Sequence, residues 1–476
     1  MSAEKIDNSR WNSKFLNLFL LKGAIHGLPY VGKATLTLVE RVVWLILPLI
    51  ALYCSIHLAL ESLDRFNTKS TVISIERDYH YWNTTIPSAT ICPMERISLE
   101  KFNAFYSDTN MTDVEKSELF DFLESLANAS YFNFNNIKEY PSIEKLNIDP
   151  MDYMELIYNL TENYIELPID NIKTVSDSFF IYSQQILTEW GICYSTNNYL
   201  IEKLSTTNLL FGEEPPKNVY EDTENFHKTL SMNVFDGEAT FNFMGFKGSI
   251  EIYVHGAYEV MNFERRLGPT QIPFEVTVQV YDITASDDFG KSTTVEQRKC
   301  RFPHETNLTH FPIYTRNLCY QECRINLAYK LCKCIPHFYP NRGALKPVCH
   351  FKVLKDCLFR HGRIFENLNE IKNLSLDIHS IKCNCLQNCR SSEVLEKIWK
   401  PLTQSDDLIT KNGIIVIMKT YPNIRYRRQI IFTLTDLLVS IGGTAGFFLG
   451  SSVLSVVEII YYFTFRWIWH CLGFEE

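Results

Sequence analysis

The stretch Gln429–Phe465 reads QIIFTLTDLLVSIGGTAGFFLGSSVLSVVEIIYYFTF, 37 residues with only two formal charges, Asp436 and Glu458. As one straight helix it would be about 55 Å long. A bilayer core is about 30 Å thick, so the stretch must tilt steeply, project beyond the membrane or break midway. Gly442, Gly446 and Gly450 recur every fourth residue and mark a helix face where backbones can approach closely. Gly450-Ser451-Ser452 then places flexible backbone and two hydroxyls near mid-span. Carbonyls and hydroxyls can replace part of an ion's hydration shell. A glycine stripe alone more often means plain helix packing, and the carboxylates shift the reading. On a continuous helix Asp436 and Glu458 would stand about 33 Å apart, one near each end of the crossing. An intramembrane carboxylate costs roughly 2.5–3.5 kcal/mol and normally faces a bundle interior or water. Rings of carboxylates attract cations. Asp436, Ser440, Gly442, Gly443, Gly446 and Glu458 are therefore candidates to line a pore, with Gly450, Ser451 and Ser452 as its filter.

A second apolar run lies at the other end of the chain. Val42–Leu60 (VVWLILPLIALYCSIHLAL) has no formal charge and is long enough to cross a bilayer. Pro48 is tolerable there if neighbours satisfy the carbonyl it frees. With 41 residues ahead of it, this run is not a signal peptide, and the shorter FLNLFLL at 15–21 reads as an interfacial helix.

Residues 61–428 separate the two runs. All six Asn-x-Ser/Thr acceptors fall there, at Asn83, Asn110, Asn128, Asn159, Asn307 and Asn373. So do twelve of the 14 cysteines. An even, clustered cysteine set beside glycosylation acceptors points to an extracellular disulfide framework. Arg425, Arg427 and Arg428 dissent, since basic residues favour the cytosolic side of a span. Long loops translocate largely regardless of charge, so the cysteines and acceptors decide. The expected layout is a cytosolic segment 1–41, a first span 42–60, an extracellular domain 61–428, a second span 429–465 and a cytosolic tail 466–476.

Within 61–428, Glu251–Val254, Phe274–Tyr281 and Ile414–Lys419 are strand-like, and Asp113–Ala129 has apolar residues at helical spacing. One α+β ectodomain follows. Cys319 and Cys323 share a helix face about 6 Å apart, and Cys383 and Cys385 share a strand face about 6.6 Å apart. Antiparallel docking would join Cys319 to Cys385 and Cys323 to Cys383, with Cys332/Cys334 closing on Cys357/Cys349 inside them. Twelve cysteines allow roughly ten thousand pairings, so other connectivities stay open.

The net charge is −9 with no basic block, which disfavours a nucleic-acid partner. No HExxH, GxSxG, GxxxxGK or CxxC pattern suggests an enzyme, and neither a metal site nor a cofactor is implied. Two helices per chain cannot enclose a water path, so a pore requires an oligomer.

In order along the chain, Ile25-His26-Gly27-Leu28, Ile86-Pro87-Ser88-Ala89-Thr90-Ile91-Cys92, Gly191-Ile192-Cys193-Tyr194, the spaced cysteines from Cys300 to Cys334, Cys383-Asn384-Cys385-Leu386-Gln387-Asn388-Cys389 and Gly450-Ser451-Ser452 resemble the signatures of the DEG/ENaC superfamily. The detail is most similar to the insect pickpocket branch. The resemblance implies two transmembrane helices flanking a disulfide-rich α+β ectodomain of the acid-sensing-channel type. It implies a homo- or heterotrimer of family subunits, embedded in plasma-membrane lipid with both termini cytosolic. It further implies a sodium-selective, amiloride-blocked pore gated through the ectodomain by a chemical or mechanical stimulus. It adds Cys92–Cys193 and Cys300–Cys389 to the nested pairing, and makes His26 and Gly27 a re-entrant gating segment. Gln387 stands where the family has Pro. Val439 stands where it has Gly, Ala or Ser, and bulk there favours an open pore. The alternative function is a non-conducting accessory subunit or sensory receptor component.

Overall fold

The computed structural model describes residues 21, 26–33, 35–107, 109, 111–162, 172–173, 178–181, 183–213, 226–227, 229–243, 248–262, 274–341, 346–368, 383–401, 414–466 and 468–469. Asn110 and Asn373 lie outside these residues, as does Cys471. The chain divides into two compact units: residues 1–72, 288–298 and 429–476 form one, and 73–287 with 299–428 the other.

In the first unit Leu38–Thr68 is a 31-residue helix, long and apolar enough to cross a membrane. Thr37 starts it with a capping box: its hydroxyl accepts from the Glu40 backbone N–H, and Glu40 accepts from the Thr37 N–H at 2.8 Å. The helix overruns the apolar run Val42–Leu60 at both ends, because polar residues continue its pattern to Thr68. The long stretch Gln429–Phe465 is not one helix. Its first residues end the strand Arg425–Ile430. Helices Leu434–Leu449 and Val453–Phe465 follow, bent by 73° at the intervening break. Of tilting, projecting and breaking, the stretch breaks, and it does so at Gly450–Ser452.

The second unit is a disulfide-rich mix of sheets and helices. Its largest sheet runs in the order Thr71–Glu76, Arg425–Ile430, Phe274–Ala285, Ile414–Thr420, Ala239–Phe243, and Ser391–Pro401 pairs antiparallel with Phe274–Ala285. Phe274–Ala285 is fully strand over twelve residues. Its alternating Val276, Val278 and Val280 are buried on a core shared with Phe241, Phe243, Ile252 and Val416. A four-stranded sheet orders Ile250–His255, Ser88–Pro93, Gly191–Thr196 and Ser183–Thr188. The helix Asp113–Ala127 forms where the spacing predicts, with a Thr112/Glu115 capping box, and buries Leu119, Phe122, Leu123 and Leu126. An aromatic core surrounds it, with Phe122, Tyr131, Phe134, Phe338, Phe351 and Phe365 all at or below 2% exposure.

Six disulfides staple this unit among the described residues. Register pairs Ile91 with Tyr194, so Cys92 falls opposite Cys193, and the two are bonded with Cα atoms 4.5 Å apart. The helix Arg316–Cys332 carries Cys319 and Cys323, bonded to Cys385 and Cys383. Cys332–Cys357 and Cys334–Cys349 close the nested pairs, and Cys300–Cys389 joins the short parallel strands Cys300–Arg301 and Gln387–Asn388. Cys383 and Cys385 lie on irregular backbone rather than on a strand. Extended chain of any kind spaces i and i+2 correctly, so regular strand was not needed.

A buried ion pair ties the cysteine-bearing helix to the turn after Ser183–Thr188. Arg324 grips Glu189 with two hydrogen bonds of 2.6 Å, and the Tyr339 hydroxyl also donates to Glu189. Both charged side chains are under 7% exposed. Burial alone would loosen the Arg324 proton, but the Glu189 carboxylate more than offsets it and raises the pKa above its ordinary value. Arg96 is a second buried guanidinium. It donates to the Pro93, Ala127 and Trp190 carbonyls, while the backbone N–H groups of Arg96 and Ile97 donate to Glu124.

Candidate pore segment

The helix Leu434–Leu449 starts at Thr433. The Thr433 hydroxyl accepts from the Asp436 N–H, and the Asp436 carboxylate accepts from the Thr433 N–H at 2.8 Å and hydroxyl at 2.7 Å. Asp436 is thus the N3 member of a capping box, exposed at the first turn. The pattern Thr-x-x-Asp at 433–436 carries this role in the sequence, where charge alone drew the reading. Val439 is 69% exposed. Ser440 is hydrogen-bonded to Ser62 of the Leu38–Thr68 helix, hydroxyl to hydroxyl at 2.9 Å. Around Gly442 and Gly443 the space a Cβ would fill is open to 4 Å, so this face of the chain is free for another helix.

Part of the carbonyl demand at the end of this helix is met locally. Gly450 N–H donates to Gly446 O at 3.0 Å, the Ser451 hydroxyl to Ala445 O at 3.3 Å, and the His26 backbone N–H to Leu449 O at 3.4 Å. Gly450 makes the turn with φ +62°, a left-handed value that suits glycine. Ser452 then restarts the helix as its N-cap, in a reciprocal box with Ser455. Glu458 follows within Val453–Tyr461, half-buried. The separation of about 33 Å between Asp436 and Glu458 does not hold, because it assumes the unbroken helix that the 73° bend removes.

His26 and Gly27 come back to this break. A Cβ on Gly450 would overlap the His26 imidazole, so the ring stands directly against the turn. Gly27 has φ +96°, and a Cβ there would meet Pro48 Cγ at 3.0 Å. The following helix Leu28–Gly32 is held by Tyr30, whose ring stacks on Trp44 with centroids 4.5 Å apart, and Lys33 Nζ sits 4.6 Å from the Tyr30 centroid. Pro48, Trp44, Tyr30 and Ser62 are contributors the sequence reading missed. No periodicity links segments some twenty residues apart.

Other candidates are distributed. Asn83, Asn159 and Asn307 are exposed. Asn128 is half-buried and donates its amide to the Met94 and Glu124 carbonyls, each at 3.0 Å. Among the described residues, the grouping with metal-ligand spacing is Cys332, Cys357 and His361, and a disulfide consumes both sulfurs.

A chain with one long apolar helix, a broken apolar pair whose hydroxyl-lined turn is backed by an N-terminal His-Gly, and six staples outside them has clear relatives. The pattern of the family described as "Amiloride-sensitive sodium channel" matches residues 19–462. "Sodium channel protein Nach" of Drosophila melanogaster is 22% identical over 505 residues, covering 94% of this chain and 86% of the relative. "Pickpocket protein 19" of the same species is 22% identical over 494 residues, with 95% and 90% covered. "Bile acid-sensitive ion channel" of Mus musculus is 21% identical over 512 residues, covering 100% and 92%. Two of these relatives carry the names of channels and none that of an enzyme, they align over almost the whole chain, and the family match takes in both the His-Gly segment and the break at Gly450–Ser452; the chain belongs to the amiloride-sensitive sodium channel family.

Proposed function

We propose that this chain is a subunit of a trimeric, sodium-selective, amiloride-blocked cation channel in the plasma membrane. Leu38–Thr68 and the broken pair Leu434–Leu449 and Val453–Phe465 are its two spans, with residues 61–428 extracellular. The Gly450–Ser452 turns of three subunits form the filter, and Asp436 and Glu458 add negative charge along the path. His26 and Gly27 set the conformation of that turn from the cytosolic side. The stimulus acts on the stapled ectodomain, whose strand Arg425–Ile430 runs in sequence directly into the second span. The observation that carries this reading is the break itself. A helix interrupted inside an apolar stretch exposes backbone polar groups, and these are tolerated at membrane depth only when buried in protein or lining a water-filled cavity.

The test is whole-cell current after expression alone and with related subunits, with sodium replaced by a large organic cation, with and without amiloride. The reading expects inward current that disappears on replacement and is reduced by amiloride. Current absent in every combination, with the protein at the cell surface, would support the accessory-subunit alternative instead.

A further inference from the structure

The helices Leu38–Thr68 and Leu434–Leu449 are tied together at one end by a short ladder of contacts. Ser70 O accepts from the Ile431 and Phe432 backbone N–H groups at 2.9 and 3.2 Å. The Arg65 guanidinium lies 5.0 Å from the Phe432 ring centroid, and Gln297 Nε2 donates to Phe66 O at 3.3 Å. Ser62–Ser440 is the rung farthest along the helices, and among the described residues it is the side chain–side chain hydrogen bond that joins them. Ser440 lies on the less exposed face of its helix, with Leu437, Ile441, Thr444 and Ala445, while Val439, Gly442 and Gly443 lie on the exposed side, with nothing within 4 Å of a Cβ on either glycine. The pair therefore sits at the edge between these two faces, next to Val439.

We propose that Ser62 and Ser440 are positioning residues of the gate: their hydroxyl pair latches the two spans in one conducting state or the other, and is made in only one of them. The inference rests on the channel reading above. Its physical basis is geometric. One residue step turns a helix by about 100°, and a hydroxyl pair at 2.9 Å does not survive even a fraction of that rotation or a slide of about 1.5 Å. A serine released from its partner can turn back to a carbonyl on its own helix, so the other state carries no matching penalty. The latch thus biases the equilibrium by the value of one interhelical bond, about three- to tenfold at membrane depth.

The experiment is a double-mutant cycle on steady-state open probability with Ser62→Ala, Ser440→Ala and the pair, plus Ser62→Thr, which keeps the hydroxyl. We expect each alanine variant to shift open probability about three- to tenfold in the same direction, the double variant to go no further, and Ser62→Thr to stay near wild type. Additive shifts, opposite directions or unchanged gating would overturn the proposal. A second readout needs no current. In a Cys54→Ser background, Ser62→Cys with Ser440→Cys in the full chain should yield a disulfide-linked 62–440 peptide by mass spectrometry after mild oxidation. Failure to cross-link in surface-expressed protein would overturn the latch. Silence of every variant in current recordings, with the cross-link formed, would instead remove the channel reading.

Discussion

The His26 imidazole packs against the Cα of Gly450, while the His26 backbone N–H closes the last carbonyl of the preceding helix turn, Leu449 O, at 3.4 Å. Two residues at opposite ends of the sequence thereby share one turn. Gly450→Ala meets both a left-handed φ and the imidazole. The backbone cost alone is about 1–2 kcal/mol. We expect at least a tenfold loss of current with surface expression maintained. His26→Ala in the same chain should recover part of it, leaving the backbone share. Patch-clamp recording of the three variants against surface biotinylation checks this.

Val439 is 69% exposed, one residue before the serine that contacts the helix Leu38–Thr68. Removing its bulk with Val439→Gly should lower resting current. An unchanged resting current would discard any role for this side chain in the gate.

The Glu189–Arg324 pair is buried on both sides, so either partner left alone becomes an unpaired charge or an unfilled acceptor site. Arg324→Met should destabilise the disulfide-rich unit by about 3–5 kcal/mol. The double change Glu189→Leu with Arg324→Met should cost less than the single one. Thermal denaturation of the purified channel reads both.

Much of this architecture was legible from spacing. The helix at Asp113 and the long strand at Phe274 announce themselves because each obeys a period of 3.6 or 2, and the spacings Cys319/Cys323 and Cys383/Cys385 suggest their docking, whereas Cys92–Cys193 and Cys300–Cys389 entered only through the resemblance. The break in Gln429–Phe465 was readable only as one of three outcomes. What selects it is an accounting of carbonyls near Ala445, Gly446 and Leu449, and two of their donors, Ser451 and His26, come from outside the helix's own ladder. The His-Gly segment drew attention through resemblance rather than pattern. Its seat on Pro48 and Trp44 left no trace in the sequence, since tertiary contacts across non-periodic segments have none. Asp436 was read for its charge, although Thr433 three residues earlier already marked it as a cap.

Burial holds His337 neutral and lowers its pKa to about 4, from an ordinary value near 6.5; its Nε2 lies 3.0 Å from Leu126 O. In the unfolded chain the ring takes up its proton below pH 6.5, whereas the folded chain resists until pH 4. Stability from this group is complete above pH 6.5 and drains away as pH falls to 4, by about 3 kcal/mol. Melting temperature against pH should show a loss across that window, and His337→Gln should flatten it.

Glycan occupancy separates the acceptors by geometry. Asn83, Asn159 and Asn307 are open to an oligosaccharide, whereas the Asn128 amide is spent on two backbone carbonyls. Glutamine replacements at the three open positions should each remove one glycan's mass on a gel. Asn128→Gln should leave the glycan mass unaltered and lower the melting temperature.

The turn at Gly450 has a consequence for how the subunit is made. His26 emerges from the ribosome more than four hundred residues ahead of Gly450. At about 5–20 residues per second the interval is on the order of half a minute or more. Throughout it the early segment has no late partner to hold. A nascent or truncated chain that stops short of Gly450 therefore carries the His26 segment without the turn it packs against.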